Sequence, residues 1–119
     1  MKIAITSQGQ DLNSQIDPRF GRAAYILIVD TDLQSFEIID NSENIKAFKG
    51  AGIQAAATLS KRGVEILLTG YCGPNAFKTL QAAGIKVAND VSGTVKDAVN
   101  RFNEGNLAYA DNANAEAHW

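Results

Sequence analysis

The first third of the chain alternates short apolar runs with polar turns. Residues 2–6 (KIAIT) place isoleucines at alternate positions, which predicts a short strand. Residues 24–29 are apolar throughout and partly β-branched, which predicts a strand with both faces buried. After a tight turn at 30–32, residues 34–39 return as a third strand. The pattern therefore predicts an antiparallel meander of three strands.

From residue 50 onward, apolar residues recur at helical spacing and short buried strands separate the helical segments. The predicted elements are a helix over 52–61, a strand over 64–69, a helix from Pro74 to a stop at Gly84, a strand over 85–88, and a helix between a cap at Ser92 or Thr94 and Gly105. The order β-β-β-α-β-α-β-α predicts an α/β fold, with helices packed on a mixed five-stranded sheet. We expect one domain over 1–105 and a flexible C-terminal tail over 106–119, which has no period.

The predicted strand directions bring several loops to one edge of the sheet. Strands one, three, four and five run the same way, and each helix begins just after a strand that ends at this edge. Ligands of open α/β sheets bind outside the carboxyl ends of the strands. The candidate site therefore consists of the loops at 7–22, 46–52, 70–75 and 89–94.

Glycines and basic side chains are the chemistry that these loops share. Glycines let a backbone approach a ligand closely, and helix N-termini present N–H groups to an anion. Arg19, Arg22, Lys46 and Lys49 supply positive charge. The candidate binding residues are Ser7, Arg19, Phe20, Gly21, Arg22, Gly50, Ala51, Gly52, Gly70, Tyr71, Cys72, Gly73 and Asn75. They predict an anion site in which Phe20 is an apolar anchor.

Each of these residues also has an ordinary structural interpretation. Glycines at helix boundaries serve as turn formers, and isolated arginines are commonly surface charges. Cys72 at the end of a strand is typical of a small core residue. The binding interpretation depends on the convergence of the whole set on one edge of the sheet.

Composition narrows the choice of partners. The 119 residues fit one domain, and the net charge of -2 gives no general attraction to nucleic acid or to an anionic membrane. The single cysteine excludes an internal disulfide and a cysteine-rich metal site. No segment approaches the roughly 20 apolar residues of a membrane span. The apolar run in MKIAIT is too short and too strand-like for the core of a signal peptide, so we expect neither. We expect a cytoplasmic protein without nucleic-acid or membrane partners.

Common catalytic signatures do not occur in the sequence. The motifs GxSxG, HExxH and the Walker A loop are missing, and the first strand carries no carboxylate for a two-metal nuclease. We therefore expect a protein that is not an enzyme.

Four stretches, which together cover nearly the whole chain, resemble the dinitrogenase iron–molybdenum cofactor biosynthesis family. They are KIAIT at 2–6, DPRFGRA at 17–23, residues 50–87 and GTVKDAVNRFNEGNL at 93–107. The most specific pieces are RFGRA at 19–23 and TGYCGPNAFKTLQAAGI at 69–85. The resemblance implies a ribonuclease-H-like fold without nuclease activity, and a role in binding or carrying metal–sulfur clusters. The family includes small stand-alone proteins of anaerobes. The implied cargo contains molybdenum, as an iron–molybdenum precursor or a molybdenum–copper sulfide, and is held non-covalently.

Such a cluster is a bulky, soft anion whose sulfides accept hydrogen bonds. It needs N–H donors, cationic side chains and an apolar wall rather than many protein ligands. A single cysteine cannot hold a conventional iron–sulfur cluster, which takes about four thiolates. Cys72 and His118 remain candidate ligands, each for one bond to copper or iron.

The resemblance also implies cluster-assembly or acceptor proteins as partners, with the chain as a monomer or a weak homodimer. Two other functions fit the same residues. One is a regulatory module that binds phosphate or nucleotide at the helix N-termini, and the other is a colourless protein–protein adaptor.

Overall fold

The computed structural model describes residues 1–42, 50–111 and 113. The strands are β1 (Lys2–Ser7), β2 (Tyr25–Asp30), β3 (Ser35–Asp40), β4 (Ile66–Leu68) and β5 (Lys86–Ala88). The helices within these residues are α1 (Ala51–Lys61), α2 (Pro74–Ala82) and α3 (Val95–Asn103). Each element lies where the hydrophobic pattern predicts it, with small shifts at the ends. Within the residues that the structure describes, the predicted element order is confirmed.

The five strands form one open sheet in the order β3-β2-β1-β4-β5. The β2 strand runs antiparallel to both β1 and β3, whereas β4 is parallel to β1 and β5 is parallel to β4. Four strands therefore run in one direction and β2 alone is reversed, which confirms the mixed sheet of a ribonuclease-H-like α/β fold. The carboxyl ends of β1, β3, β4 and β5 lie at the same edge.

Two apolar clusters cover the two faces of the sheet. On one face, buried side chains of α1 and α2 pack against β1, β2, β4 and β5. On the other face, Val95 and Ala98 of α3 pack against Ile3 and Ile5 of β1. Because apolar helices cover both faces, the central strand β1 is buried along nearly its whole length.

The segment after α3 contacts the edge strand β5. The backbone N–H of Ala110 donates to the carbonyl of Val87 at 2.7 Å, and the Lys86 ammonium lies 5.6 Å from the centre of the Tyr109 ring. The described part of the predicted tail thus lies beside β5. The domain limit at residue 105 and the mobility of the tail stay predictions.

Within the described ranges, no helix has the length and apolar character needed to cross a bilayer. Three residues singled out above, Lys46, Lys49 and His118, lie outside those ranges.

Candidate functional site

The loop at residues 17–24, which we call the arginine loop, is closed by the buried carboxylate of Asp17. One carboxylate oxygen accepts a hydrogen bond from the backbone N–H of Arg19, and the other accepts from that of Ala24, each at 3.2 Å. The backbone carbonyl of Asp17 accepts a bond from the hydroxyl of Thr6 at 2.6 Å. Asp17 therefore fixes both ends of the loop and attaches it to the end of β1.

Asn41, the residue that follows β3, holds the second half of the arginine loop. Its buried side-chain amide donates to the carbonyls of Gly21 at 3.0 Å and Ala23 at 2.8 Å. Its backbone N–H donates to the carbonyl of Ala24 at 3.1 Å. An amide group has two donor hydrogens, and here both are directed to the loop. Asn41 thereby sets the backbone conformation between the two arginines and β2.

The arginine loop meets the first turns of α1 and α2 along a row of small residues. A Cβ atom on Gly21 would lie 2.7 Å from the Cα of Gly52, and one on Gly52 would lie 2.7 Å from the Cβ of Ala76. Gly21 also has a φ of +90°, which other residues rarely adopt. The loop and the two helix starts therefore pack without intervening side chains.

The loop after β4 joins the same assembly through backbone hydrogen bonds. The N–H of Phe20 donates to the carbonyl of Tyr71 at 3.0 Å, and the N–H of Tyr71 donates to the carbonyl of Pro18 at 2.5 Å. A Cβ on Gly70 would lie 2.7 Å from the same carbonyl oxygen of Pro18, so glycine permits this approach. Arg19 and Tyr71 are the two residues of this parallel bridge. Their side chains are 51% and 40% exposed.

The N-termini of α1 and α2 offer backbone N–H groups at this edge. The cap residues are Gly50 and Gly73, which have no side chain with which to cap their helices. The first N–H groups of a helix lack partners within the helix, and the helix dipole adds partial positive charge there. Asn75, in the first turn of α2, is exposed. Both helix starts suit an anion.

The N-terminus of α3 is different, and here the sequence-based expectation is corrected. The N–H groups of Val95 and Lys96 donate to the carbonyls of Ser14 at 2.9 Å and Leu12 at 2.8 Å. Thr94 caps the helix in a reciprocal pair with Asp97. Because the protein itself satisfies these donors, the start of α3 is not available to an anion, and the candidate surface is limited to α1, α2 and the arginine loop.

Two predicted site residues, Ser7 and Phe20, have side chains that lie in the interior. The hydroxyl of Ser7 is engaged with the backbone of Gly9, donating to its carbonyl at 2.8 Å. Phe20, which is 2% exposed, packs in the core cluster beneath α1 and α2. It anchors the arginine loop, as predicted, but its ring is not available as an exposed wall. Of the described aromatic residues in these loops, Tyr71 offers exposed ring surface.

Cys72 belongs to the same core cluster and has no exposed surface. Its Sγ lies 3.7 Å from the carbonyl oxygen of Gly73, and burial raises the pKa of the thiol to about 12. The thiolate is the form that ligates metals. Metal binding by Cys72 would therefore require the side chain to leave the core and lose its proton.

Among the described residues, no group of three or more His, Cys, Asp or Glu side chains is arranged to hold a metal ion. The donors offered at this edge are instead the backbone N–H groups at the starts of α1 and α2 and the side chains of Arg19 and Arg22, which the arginine loop carries. Such a set does not coordinate a bare metal ion, because it offers no anionic or imidazole ligand. It fits a metal-containing anion that brings its own ligands.

Sequence reasoning missed Asp17 and Asn41 as residues of this site. An Asp-Pro pair such as that at 17–18 is typical of a turn, and this local pattern does not show that the carboxylate organises the loop. Asn41 lies about 20 residues from its partners, and a single asparagine after a strand carries no local signal for such contacts.

Residues 1–105 match the family described as dinitrogenase iron-molybdenum cofactor. The apo form of the orange protein from Desulfovibrio gigas is 47% identical, with a TM-score of 0.93 over 96% of both chains. A Thermotoga protein provisionally identified as NifB is 39% identical, with a TM-score of 0.84 over 97% of both chains.

A more distant structure, of a protein from Methanocaldococcus jannaschii provisionally identified as a dinitrogenase, is 22% identical with a TM-score of 0.70. It covers 94% of this chain and 96% of its own, and it shows the fold alone. No curated protein matches the chain. With the motifs, the sheet topology and a match over residues 1–105 in agreement, the chain belongs to the dinitrogenase iron–molybdenum cofactor family.

Proposed function

We propose that the chain is a non-catalytic carrier of a molybdenum-containing metal–sulfide cluster. The cluster is bound without covalent attachment at the surface formed by the arginine loop, residues 50–52 and residues 70–75, which we call the rim. The observation that carries the proposal is the row of contacts from Gly21 through Gly52 to Ala76. It supports the proposal because Gly21, which stands between Arg19 and Arg22 in the arginine loop, packs against the first turn of α1, whose start in turn packs against that of α2.

The chemistry of the rim suits a thiometallate anion. Terminal sulfides accept hydrogen bonds, and the rim offers N–H donors at the starts of α1 and α2. The guanidinium groups of Arg19 and Arg22 present forked donors with fixed positive charge. Tyr71 adds an exposed aromatic surface. The cargo keeps its own sulfide ligands, so a protein thiolate is not required.

The relatives support a cargo that contains molybdenum, but they do not identify which cluster it is. The family is named for the iron–molybdenum cofactor, and the orange protein is 47% identical to this chain. Either an iron–molybdenum precursor or a molybdenum–copper sulfide is compatible with the rim. The partners of such a carrier are proteins that assemble the cluster or accept it.

The test is reconstitution of the purified protein under anaerobic conditions. The protein is incubated with tetrathiomolybdate plus a copper(I) or iron(II) salt, separated by gel filtration, and examined by visible spectroscopy and elemental analysis. We expect a coloured complex with molybdenum and sulfide in fixed ratio to protein. Arg19→Glu combined with Arg22→Glu abolishes retention, because the charge at the rim is reversed.

The matched control is Arg101→Glu, an arginine in the last turn of α3, away from the rim. This variant keeps the complex. A protein that stays colourless and metal-free with both metals contradicts the proposal. Equal retention by the doubly substituted protein contradicts the placement of the cargo at the rim.

A phosphate-containing ligand is the second candidate, favoured by the same two helix N-termini. Inorganic phosphate and ATP would then raise the melting temperature of the protein in the absence of metal. A regulatory module of this kind would remain colourless with tetrathiomolybdate, so the two functions give opposite results in the two assays.

A further inference from the structure

Two buried threonines lie side by side at the edge of the sheet that carries the rim. In the parallel register of β1 and β4, Ile5 lies opposite Leu68, so the residues that follow them, Thr6 and Thr69, are neighbours as well. Their hydroxyl oxygens are 2.9 Å apart, and neither residue has exposed surface. Buried hydroxyl groups of this kind need hydrogen-bond partners within the protein.

The direction of the hydrogen bonds in this pair is set by a third group. The hydroxyl of Thr6 donates to the backbone carbonyl of Asp17 at 2.6 Å, and a carbonyl oxygen can only accept. This bond uses the single hydroxyl hydrogen of Thr6. The hydrogen between the two threonines must therefore belong to Thr69, which donates to Thr6. A chain of two hydrogen bonds thus runs from Thr69 through Thr6 to the first residue of the arginine loop.

The backbone of Thr69 is held independently of the arginine loop. Its N–H donates to the carbonyl of Ala88 at the end of β5, and its carbonyl accepts from the N–H of Val91, each at 3.0 Å. The position of Thr69 is therefore determined by β4, by β5 and by the segment that follows β5. Its hydroxyl is a fixed point to which the arginine loop is attached.

Packing does not account for the two hydroxyl groups. Valine has the same branched shape as threonine and would fill the same space without a polar atom. The neighbouring positions on this face of the two strands, Ala4 and Leu67, belong to the apolar cluster beneath α1 and α2. A hydroxyl in such surroundings costs free energy unless it is hydrogen-bonded. The bond that reaches Asp17 gives the hydroxyls a role that valine could not fill.

We propose that Thr69 is a positioning residue of the rim. Through the hydroxyl of Thr6 it holds the carbonyl of Asp17, and it thereby fixes the arginine loop in the conformation that presents Arg19 and Arg22. Thr69 has no exposed surface, so it acts through the loop and not by contact with the cargo. The effect on cargo rests on the carrier function proposed above, whereas the effect on the loop does not.

The test compares Thr69→Val, which keeps the shape and removes the hydroxyl, with Thr69→Ser, which keeps the hydroxyl and removes the methyl group. Amide hydrogen exchange is measured by NMR in the metal-free full chain, at the N–H groups of Arg19 and Ala24 that donate to the Asp17 carboxylate. We expect Thr69→Val to raise both exchange rates about threefold to tenfold, the effect of losing one hydrogen bond, and Thr69→Ser to leave them nearly unchanged. A role in packing alone would reverse this order.

Thr6→Val removes both bonds of the chain and should have the larger effect on the same two amides. Thr58→Val is the matched control, because the hydroxyl it removes donates to the carbonyl of Gln54 at 3.1 Å within α1. The control should leave exchange in the arginine loop unchanged. Amides of β2, which pairs with a strand on each side, report opening of the whole fold and show that each variant is folded.

The second measurement is the release of cargo from protein reconstituted with tetrathiomolybdate and copper(I) or iron(II). Thr69→Val should release molybdenum about threefold faster or more, because the loop that presents the arginines opens more often. Thr69→Ser and Thr58→Val should release it at the rate of the unchanged protein. The serine variant thus provides the rescue that a general loss of stability would not.

Two results would overturn the proposal. One is exchange in the arginine loop that Thr69→Val does not raise, or that Thr69→Ser raises more. The other is faster exchange in the loop with unaltered release of cargo, which would separate the loop from binding. Failure of the unchanged protein to take up cargo would instead contradict the carrier function, and the exchange rates would still decide whether Thr69 positions the loop.

Discussion

The side-chain amide of Asn41 donates a hydrogen bond of 3.0 Å to the backbone carbonyl of Gly21, at the centre of the arginine loop. Its second donor hydrogen is directed to Ala23. Both carbonyls belong to buried residues, so removal of the amide leaves them without this partner. We expect Asn41→Ala to lower the free energy of unfolding by about 1–3 kcal/mol. Urea denaturation measures this change.

The same substitution loosens the backbone that positions Arg22, so the reconstituted complex should lose its cargo faster on gel filtration. Asn106→Ala, at an exposed asparagine after α3, is the control and leaves both properties unchanged. Unaltered stability of the Asn41→Ala protein would show that the loop does not depend on these bonds.

Substitution of Gly52 by alanine tests the row of small residues. In an open helix the change is favourable, because alanine has the higher helix propensity by about 1 kcal/mol. Here the new methyl group would lie 2.7 Å from the Cβ of Ala76, so α1 and α2 must separate. We expect a net loss of about 1–3 kcal/mol of stability, the usual cost of an overpacked contact.

The second substitution Ala76→Gly removes the opposing methyl group and serves as the rescue. The double variant should unfold at a higher denaturant concentration than Ala76→Gly alone, because the alanine at position 52 then has space. If Gly52→Ala stabilises the unmodified protein, the contact between the two helix starts is not tight.

Burial of Cys72 predicts a thiol that is inert in the native protein. Because its pKa is raised to about 12, the thiol is protonated at pH 8, and it has no exposed surface. Iodoacetamide should modify it slowly in buffer and quickly in guanidinium chloride, as mass spectrometry would show. Fast modification without denaturant would mean that the side chain leaves the core readily.

Replacement of the same residue separates a core role from a ligand role. We expect Cys72→Ala to retain the reconstituted cluster, while its stability falls by about 1 kcal/mol from lost packing. Loss of the cluster from a variant that remains folded would identify Cys72 as a ligand after all. The Arg22→Glu protein is measured in parallel, as the reference for loss of the cluster caused by a substitution at the rim.

The capping pair at the start of α3 predicts an acid-sensitive contribution to stability. Hydrogen bonding of Asp97 to the backbone N–H of Thr94 holds the pKa of its carboxyl below the ordinary value of 3.8. The carboxylate therefore stabilises the folded state fully above pH 3.8, and this stabilisation is lost as the pH falls through the lower folded pKa. Asp97→Asn should lower the melting temperature at neutral pH. It should also make the melting temperature fall less steeply as the pH is lowered below 3.8.

Glu104→Gln, at the other end of α3, removes the same charge outside the capping pair and should retain the acid dependence. Identical melting profiles for Asp97→Asn and the unchanged protein would show that the pair contributes nothing measurable.

The hydrophobic pattern was sufficient to predict the elements and the directions of the strands. The apolar run at 24–29 and the helical spacing after Gly50 are local signals, and they specify local structure. Strand direction followed from the presence or absence of a helix between strands, so the edge that carries the rim could be predicted as well.

The orientation of individual side chains could not be predicted in this way. Phe20 lies in a polar loop, and only its packing beneath α1 and α2 shows that the ring is interior. The hydrogen bonds that Asn41 donates to the arginine loop join residues far apart in the chain, and so does the bond that the N–H of Lys96 in α3 donates to the carbonyl of Leu12. Such contacts depend on the assembled sheet, and one sequence carries no signal for them.

The row from Gly21 through Gly52 to Ala76 contains no side chain larger than a methyl group. The spacing between the arginine loop and the two helix starts is consequently a property of the backbone. Replacement of an exposed side chain that projects from it, such as Arg19 or Tyr71, would therefore change the surface chemistry of the rim and leave this spacing as it is.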